Sequence, residues 1–415
     1  MNTAPKSLRL QIGLFGRTNV GKSSVLNYLA GQDVAVISDL PGTTTDVVEK
    51  AMELLPIGPV LFLDTAGVDD MSALAGARLD KTRRVFDRAD VGVLVVEPDI
   101  WGGDEEQILE EAVRRKLPVM VVANKADEKM PAESFLAGIE ARGLRRPVVV
   151  STRDTKGREH FLTEFKEALL AVLPEENRRE PPLLGDLVPA GGWIVMVVPI
   201  DLQAPKGRLI LPQVQAIRDA LDHDAVVAVV KEREYARALA QLRERPALAV
   251  CDSQVVLKMV ADTPPEIACT TFSILLARLK GDLTELARGA AAIERLRPGD
   301  RVLIAEACSH HAAEDDIGRV KIPRWLRQYA GGELNCEVCS GRDYPDSLAD
   351  YRLVIHCGAC MLNRREMLSR MRLAREAGVP VTNYGLCIAE TQGVIKRVLS
   401  PFPAALEAYQ GAQIS

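Results

Sequence analysis

The sequence Leu353-Val354-Ile355-His356-Cys357-Gly358-Ala359-Cys360 is a short apolar run that ends abruptly in a histidine and two cysteines. A run of this kind predicts a buried strand. A second apolar run, at residues 301–305, ends shortly before Cys308-Ser309-His310. If both runs are parallel strands of one sheet, their polar ends emerge at the carboxyl edge, where open α/β sheets bind ligands. The pattern therefore predicts an α/β domain with a metal site at that edge.

Two kinds of metal centre are compatible with this spacing. Four ligands drawn from Cys308, His310, His356, Cys357 and Cys360 can hold Zn²⁺ tetrahedrally. Three thiolates can instead hold a [4Fe–4S] cluster and leave one iron with a ligand other than cysteine. Upstream, Cys336 and Cys339 complete a C-x₂-C-x₁₇-C-x₂-C pattern with Cys357 and Cys360, a spacing that is typical of zinc sites. Spacing alone leaves zinc and iron–sulfur equally open.

The composition is that of an ordinary globular protein of several domains. The 415 residues are 47% apolar and 26% charged, with a net charge of −5. This mild acidity argues against nucleic acid as a partner, because nucleic-acid binders usually carry a basic patch. No apolar run approaches the ~18 residues of a membrane helix, so no membrane partner is expected. Without a signal peptide we expect a cytoplasmic protein, in which cysteines stay reduced.

The N-terminal segment carries a phosphate-binding motif. Residues 8–15 predict a strand, which runs into Gly16-Arg17-Thr18-Asn19-Val20-Gly21-Lys22-Ser23-Ser24 and then into a helical stretch. Strand, G-x-x-x-x-G-K-S and helix form the phosphate-binding loop in its required context. The glycines let backbone N–H groups surround the phosphates, Lys22 supplies a positive charge to the β- and γ-phosphates, and Ser23 offers its hydroxyl to Mg²⁺.

Further motifs convert this nucleotide site into a predicted GTP site. Asp64-Thr65-Ala66-Gly67 follows an apolar strand, so Asp64 is expected to hold Mg²⁺ through water and the Gly67 amide to contact the γ-phosphate. In Asn124-Lys125-Ala126-Asp127, the Asp127 carboxylate can accept both guanine N–H donors, which adenine lacks. Ser151-Thr152 fits the last loop that contacts the base. Thr44, in Gly42-Thr43-Thr44-Thr45-Asp46, is the predicted Mg²⁺ ligand of the first switch.

Two residues refine the expected hydrolysis. Val68 occupies the position that carries a water-orienting Gln in Ras-like enzymes, so intrinsic hydrolysis should be slow or depend on another group. Asn19 and the Gly-Thr-Thr-x-Asp switch resemble those of the tRNA-modification (MnmE/TrmE) and Era-like GTPases. This resemblance implies turnover stimulated by K⁺, with Asn19 as a K⁺ ligand.

The chain divides into three predicted domains, all α/β. Residues 1–175 form the P-loop GTPase domain, and a polar, proline-rich linker at 174–182 ends it. Residues 176–262 predict a small β-α-β-α-β unit whose uncovered sheet edges favour self-association, so we expect a homodimer through this domain. Residues 263–415 form the domain with the metal edge.

The chain as a whole resembles the HydF family of [FeFe]-hydrogenase maturation GTPases. Cys308-Ser309-His310, followed after a long interval by His356-Cys357-Gly358-Ala359-Cys360, matches that family's ligand pattern on a chain that begins with this GTPase. Similar stretches extend through the second and third domains: Pro199-Ile200-Asp201-Leu202-Gln203-Ala204-Pro205-Lys206-Gly207-Arg208, Asp252-Ser253-Gln254, Thr271-Phe272-Ser273-Ile274-Leu275, Ile322-Pro323, residues 356–364 and Thr382-Asn383-Tyr384-Gly385.

The resemblance implies a [4Fe–4S] cluster on Cys308, Cys357 and Cys360 with a replaceable fourth ligand, for which His310, His356 and Asp315 are the candidates. It also implies an anionic diiron subcluster as cargo, and the nearby cations expected to attract it are Arg319, Lys321, Arg364 and Arg365. Cys336 and Cys339 lie outside the family motif and are expected to be structural.

The function that follows is that of a GTPase scaffold. It would receive the diiron subcluster from radical-SAM hydrogenase maturases and transfer it to apo-[FeFe]-hydrogenase, with GTP occupancy and hydrolysis regulating the exchange of partners. The alternative is a zinc-stabilised GTPase that acts as a tRNA-modification or assembly factor. Against a tRNA-modification enzyme, the folate-binding front domain and C-terminal cysteine motif of that group are missing from this chain.

Overall fold

The protein is described from a computed structural model. The structure describes residues 5–31, 48–64, 75–154, 156–174, 181–199, 209–307, 316–341, 344–345 and 347–414. For residues 75–81 it describes the backbone alone. The chain forms two compact units, unit 1 (Met1–Glu180) and unit 2 (Pro181–Ser415). The division falls within the predicted linker.

Among its described residues, unit 1 forms a six-stranded sheet in the order β2-β3-β1-β4-β5-β6. The strands are β1 (Leu10–Phe15), β2 (Val48–Leu54), β3 (Gly58–Asp64), β4 (Val91–Val96), β5 (Val119–Ala123) and β6 (Val148–Val149). β2 runs antiparallel to β3, and the other pairs are parallel. The helices are α1 (Lys22–Ala30), α2 (Ala75–Arg88), α3 (Gly103–Arg114), α4 (Glu133–Glu140) and α5 (Arg158–Val172), with a 3-10 turn at Lys6–Leu8.

Strands β4 and β5 of unit 1 are apolar along their whole length. β4 reads Val-Gly-Val-Leu-Val-Val and is buried at every position, as expected for a parallel strand that helices cover on both faces. Because β1, β3 and β5 run the same way, their carboxyl ends meet at one edge of the sheet. That edge places the four described nucleotide-binding segments of the sequence side by side.

Unit 2 begins with a four-stranded parallel sheet in the order β10-β9-β7-β8. Its strands are β7 (Trp193–Val197), β8 (Val226–Val230), β9 (Leu248–Cys251) and β10 (Ala268–Thr271). The helices of this segment are α6 (Leu211–Asp222), α7 (Tyr235–Gln241), α8 (Val256–Asp262) and α9 (Phe272–Lys280), and 3-10 turns occur at Gly185–Leu187 and Ser253–Val255.

A second four-stranded parallel sheet follows, in the order β12-β11-β13-β14. Its strands are β11 (Arg301–Glu306), β12 (Asn335–Ser340), β13 (Leu353–His356) and β14 (Val381–Asn383). The helices are α10 (Leu283–Ala290), α11 (Ile322–Ala330), α12 (Arg364–Glu376), α13 (Tyr384–Thr391), α14 (Ile395–Val398) and α15 (Pro403–Ile414). A 3-10 turn at Ala291–Arg295 and a π-helical turn at Ile317–Lys321 complete the segment.

Both sheets of unit 2 share one hydrophobic core. Side chains from β7 and β9 of the first sheet belong to the same buried cluster as those of β11 and β13 of the second. Strand β10, which lies beyond the predicted boundary at residue 262, pairs with β9 of the first sheet. The prolines that suggested a boundary, Pro264 and Pro265, lie in the connection between α8 and β10.

Strands β11 and β13 are parallel neighbours, as the opening sequence pattern predicts. Their carboxyl ends lie at one edge of the second sheet, with β12 on the outer side of β11. None of the described helices is both long and apolar enough to cross a bilayer.

Close packing of α10 on β14 depends on Gly289. A Cβ atom at this position would lie 1.9 Å from the carbonyl oxygen of Val381, so the substitution Gly289→Ala requires the helix or the strand to move. We expect it to lower the free energy of unfolding by about 1–3 kcal/mol, as measured by urea denaturation.

The matched control is Gly411→Ala in α15, where an added methyl group meets no atom within 4 Å. Alanine favours helix over glycine, so this variant should be more stable by about 1 kcal/mol. Equal stabilities of the two variants would contradict the packing described for α10.

Candidate functional site

The phosphate loop connects β1 to α1 through backbone conformations that only certain residues adopt easily. Gly16 and Gly21 have φ angles of +138° and +89°, and Asn19 has a φ of +65°. A Cβ at Gly16 would lie 2.3 Å from the Val95 carbonyl oxygen, and one at Gly21 would lie 2.2 Å from Nδ2 of Asn124. The two glycines therefore let the loop close against β4 and against the base-binding segment.

Lys22 and Ser23 occupy the positions that phosphate and metal binding require. The Lys22 ammonium group donates to the carbonyl oxygens of Gly16 at 2.9 Å and Arg17 at 2.8 Å, which places its charge inside the loop. The Ser23 hydroxyl donates to Oδ2 of Asp64 at 2.9 Å. The two predicted Mg²⁺ ligands, one on the first turn of α1 and one at the end of β3, are thus brought together.

The base-binding residues also meet at this edge. Nδ2 of Asn124 donates to the carbonyl oxygen of Val20 at 3.0 Å and so joins the base segment to the phosphate loop. Oγ of Ser151 donates to Oδ1 of Asp127 at 2.7 Å. That hydrogen bond, with smaller help from Arg153, lowers the pKa of the Asp127 carboxyl. Asp127 is therefore held as an anion, the form that the predicted contact with guanine N–H groups requires.

The other predicted nucleotide-binding residues vary in their surroundings. Lys125 has a positive φ of +67° and forms an ion pair with Glu97. Thr152 lies in the turn after Ser151, and Ser24 is exposed on the first turn of α1. Thr44 and Gly67 lie outside the described residues.

Sequence reasoning missed an ion pair that supports the phosphate loop. Nε of Arg17 lies 2.6 Å from Oε1 of Glu105, whose side chain is fully buried. The second oxygen of Glu105 accepts from the Gly102 backbone N–H at 2.8 Å, at the beginning of α3. The one available signal was a glutamate at the third position of a helix that begins after glycine, which indicates a capping residue rather than a partner for Arg17.

At the edge of the second sheet of unit 2, the thiol of Cys357 is held by backbone donors. Its Sγ accepts from the Ala307 N–H at 3.1 Å and also from the N–H of Ala359, a residue with a φ of +53°. Burial raises the pKa of the Cys357 thiol, and these N–H groups together with the charge of Arg370 oppose that rise. N–H···S bonds of this kind support the thiolate ligands of iron–sulfur clusters, so the donor set at Cys357 fits such a cluster.

The remaining predicted ligands are only partly described. Cys360 is half-buried in the turn that precedes α12, whereas Cys308, His310 and Asp315 lie outside the described residues. Within the described part of the chain, no three His, Cys, Asp or Glu side chains converge as a metal site.

His356 is buried beneath an aromatic ring. Its imidazole is fully inaccessible and stacks on Tyr344, with ring centroids 5.4 Å apart and planes 20° apart. The Arg370 guanidinium covers the Tyr344 ring at 5.0 Å. Burial, with a smaller effect of Arg370, holds the pKa of His356 well below its usual value, so the imidazole is neutral.

The predicted cargo-attracting cations have partners within the protein. Arg319 pairs with the buried carboxylate of Glu306 at 3.0 Å and donates to Oγ of Ser340 at 2.9 Å. Lys321 donates to Oε1 of Gln254 at 3.0 Å. Arg364 donates to the carbonyl oxygens of Leu279 and Gly281 at the end of α9, at 2.7 and 2.9 Å. Arg365 lies beside Arg364 in α12. Sequence reasoning missed a further buried cation, Arg370.

The zinc pattern formed by Cys336 and Cys339 is not supported by the fold. Both residues lie on strand β12, where side chains three positions apart point to opposite faces and their Cα atoms are about 10 Å apart. They cannot both lie within ~2.3 Å of one Zn²⁺ ion, the length of a zinc–sulfur bond. The spacing therefore reflects a strand rather than a zinc-binding knuckle.

Relatives with curated descriptions match the first part of the chain. The tRNA modification GTPase MnmE of Prochlorococcus marinus is 36% identical over 155 residues, which is 37% of this chain and 33% of that protein. GTPase Der of Wolinella succinogenes is 38% identical over 191 residues, covering 43% of this chain and 38% of that one. The chain thus spans little more than a third of the length of these relatives.

Solved structures of GTPases also match part of the chain. The G domain of the T. maritima iron transporter FeoB is 22% identical and covers 40% of this chain and 99% of that one, with a TM-score of 0.32. Era of Aquifex aeolicus is 22% identical and covers 55% of this chain and 97% of that one, also with a TM-score of 0.32.

Family models account for most of the chain. Residues 11–125 match the model of 50S ribosome-binding GTPases. Residues 183–281 match the dimerization domain of hydrogen maturase F, and residues 284–401 match the tetramerization domain of the same family. The last two matches follow each other in order and together cover more than half of the chain. The chain therefore belongs to the hydrogen maturase F (HydF) family.

Proposed function

We propose that this protein is a GTP-hydrolysing scaffold for the maturation of [FeFe]-hydrogenase in the cytoplasm. It receives an anionic diiron subcluster from radical-SAM maturases and transfers it to apo-hydrogenase. The observation that carries the proposal is the thiol of Cys357, held by two backbone N–H donors at the carboxyl edge of a HydF-family sheet. A guanine-nucleotide site on the same chain supplies the regulation.

The nucleotide site supports GTP hydrolysis through its charges. Lys22 neutralises phosphate charge, Ser23 and Asp64 hold Mg²⁺, and Asp127 selects guanine. Thr44 completes the metal shell, and the Gly67 amide contacts the γ-phosphate. Since Val68 cannot orient water, K⁺ bound with the help of Asn19 supplies the positive charge that hydrolysis lacks. Slow hydrolysis of this kind suits a switch that controls partner exchange.

Cys308, Cys357 and Cys360 hold a [4Fe–4S] cluster in this proposal, and a weakly bound side chain completes the fourth iron. A replaceable ligand lets the cargo bind iron without displacement of a thiolate. Asp315 is the proposed occupant, with His310 as the second candidate. His356 is the least suitable of the three, because its ring is packed against Tyr344.

The outer strand of the first sheet of unit 2 supports homodimer formation. β8 is the edge strand of that sheet, and Val226 and Val229 on it are 38% and 45% exposed. Val214 and Leu221 of the preceding helix α6 are also exposed. An apolar edge of this kind is a template for pairing with another copy of the chain.

The alternative function, a zinc-stabilised GTPase that acts as a tRNA-modification or assembly factor, differs from the scaffold in the metal that the protein is expected to retain. Full-length protein reconstituted anaerobically with iron and sulfide should show the broad visible absorption of a thiolate-bound iron–sulfur cluster. Colourless protein that retains stoichiometric zinc would instead favour the zinc factor.

The nucleotide and cluster sites should be separable by substitution. Cys357→Ser is expected to abolish cluster binding and to leave GTP hydrolysis nearly unchanged, because the two sites lie in different units. Lys22→Ala should lower hydrolysis by about a hundredfold or more and leave iron content unchanged. Iron analysis and phosphate release measure the two effects.

Cys336→Ser is the matched cysteine control and should bind iron as the unsubstituted protein does. If Cys336→Ser lost iron as completely as Cys357→Ser, the proposed ligand set would be wrong.

The role of Asn19 predicts a dependence on the monovalent cation. Asn19→Ala should remove the stimulation of hydrolysis by K⁺, a loss of about tenfold or more in kcat, because its side-chain oxygen no longer reaches the ion. The measurement compares turnover in KCl with turnover in NaCl at equal ionic strength. Unchanged K⁺ stimulation in this variant would remove Asn19 from the proposed site.

Charge on the exposed edge of β8 should prevent pairing. Val226→Lys combined with Val229→Lys is expected to shift the protein toward monomer by at least about tenfold in Kd, since it places charge on both faces of the edge strand and so disfavours pairing with a second copy. Sedimentation velocity measures the change. The control is Val113→Lys, at a position in unit 1 that is 69% exposed, and a dimer that persists in the double variant would exclude this edge.

A further inference from the structure

One face of the second sheet of unit 2 carries polar groups directly beneath the metal edge. Cys339, Ala305 and His356 are in register on the neighbouring strands β12, β11 and β13. Residues that are in register across parallel strands point to the same face of a sheet. The face that carries His356 therefore also carries the Cys339 thiol, and the ring of Tyr344 covers His356 there.

Arg370 of α12 is buried over this face and is incompletely paired. Its side chain is only 6% exposed, and its nearest carboxylate oxygen, on Glu366, lies 3.6 Å away. One nitrogen, Nη2, donates to the carbonyl oxygen of Gly341 at 2.7 Å. The other terminal nitrogen, Nη1, is buried and has no hydrogen-bond partner among the described residues.

A buried guanidinium of this kind is costly unless negative charge lies nearby. Removing a cation from water costs several kcal/mol in typical proteins, and one carboxylate at 3.6 Å offsets only part of that cost. Both ring nitrogens of His356 are likewise buried without a partner in the described residues, so the imidazole brings no negative charge. Glu306, the other buried carboxylate at this end of the sheet, is already paired with Arg319 at 3.0 Å. The thiol edge is then the source of negative charge left for Arg370.

The positive charge of Arg370 reaches that edge. Its Nη2 donates to the carbonyl oxygen of Gly341, two residues after Cys339, and its guanidinium covers the Tyr344 ring that stacks on His356. Tyr344 fixes the position of the guanidinium, since its ring lies between Arg370 and His356. Because His356 immediately precedes Cys357, the stack of Arg370, Tyr344 and His356 connects the cation to the metal-binding loop.

We propose that Arg370 is the buried cation that stabilises the negative charge of a thiolate-bound metal cluster at Cys357, with Tyr344 and His356 holding it in position. This inference rests on the proposed cluster site. Arg370 is a positioning and electrostatic residue, because its guanidinium is held on α12 beneath the loop rather than among the ligands.

The consequence is a higher reduction potential. Reduction adds negative charge to a cluster, so a fixed cation in a poorly screened interior favours the reduced form. Loss of the charge should lower the ratio of reduced to oxidised cluster about tenfold at a fixed ambient potential, which corresponds to about 59 mV for one electron.

The test compares three variants of the full-length protein, each reconstituted anaerobically with iron and sulfide. Arg370→Met removes the charge and keeps an unbranched apolar side chain, whereas Arg370→Lys keeps the charge. Arg372→Met is the matched control, because Arg372 lies on the same helix and pairs at the surface with Glu376. Iron content and a redox titration followed by electron paramagnetic resonance are measured for each variant.

We expect the potential to fall in Arg370→Met and to stay near the unsubstituted value in Arg370→Lys and Arg372→Met. Equal potentials in Arg370→Met and Arg372→Met would overturn the inference. Loss of iron in both Arg370 variants, with Arg372→Met intact, would also overturn it, since packing and not charge would then be the role of Arg370. Failure of the unsubstituted protein to bind a cluster would instead defeat the proposed function itself.

Discussion

Parallel pairing of strands is the constraint on which every candidate site in this protein depends. In unit 1, the pairing of β1 with β3 and β4 brings the phosphate loop, Asp64 and the base-binding segment to one edge. In unit 2, the pairing of β11 with β13 brings residues near 307 and 357 within hydrogen-bond distance. Because all strands of a parallel sheet end on the same side, short polar sequences far apart in the chain become neighbours.

Negative charge is stabilised in different ways at the nucleotide edge of unit 1 and at the thiol edge of unit 2. At the base end of the nucleotide site the charge of Asp127 lies near the surface, where Ser151 and Arg153 hold it as an anion. At the thiol edge, backbone N–H donors oppose the effect of burial on the Cys357 thiol, and we propose that the guanidinium of Arg370 adds to them. His356 contributes no charge there, since burial keeps its imidazole neutral.

Motifs with a fixed local geometry could be predicted from the sequence, and contacts between distant segments could not. The phosphate loop and the strand before Cys357 each follow from a short pattern, and the structure has both. Strand β12 was missed because its sequence, Asn-Cys-Glu-Val-Cys-Ser, lacks a continuous apolar run, and its two cysteines imitate a zinc motif. The pairing of Arg17 with Glu105 and the stacking of Arg370 on Tyr344 join residues that no local pattern relates. The prolines at 264 and 265 resembled a domain boundary, although the next strand completes the preceding sheet.

The continuous apolar core of unit 2 has a consequence for how the molecule loses its structure. Since side chains of the first and second sheets are buried in the same cluster, the segment matched as a dimerization domain and the segment matched as a tetramerization domain should melt in one cooperative transition. A substitution that destabilises either sheet should then destabilise both, because neither sheet can unfold without exposing apolar side chains of the other. Two family models thus match a segment that is expected to unfold as one cooperative unit.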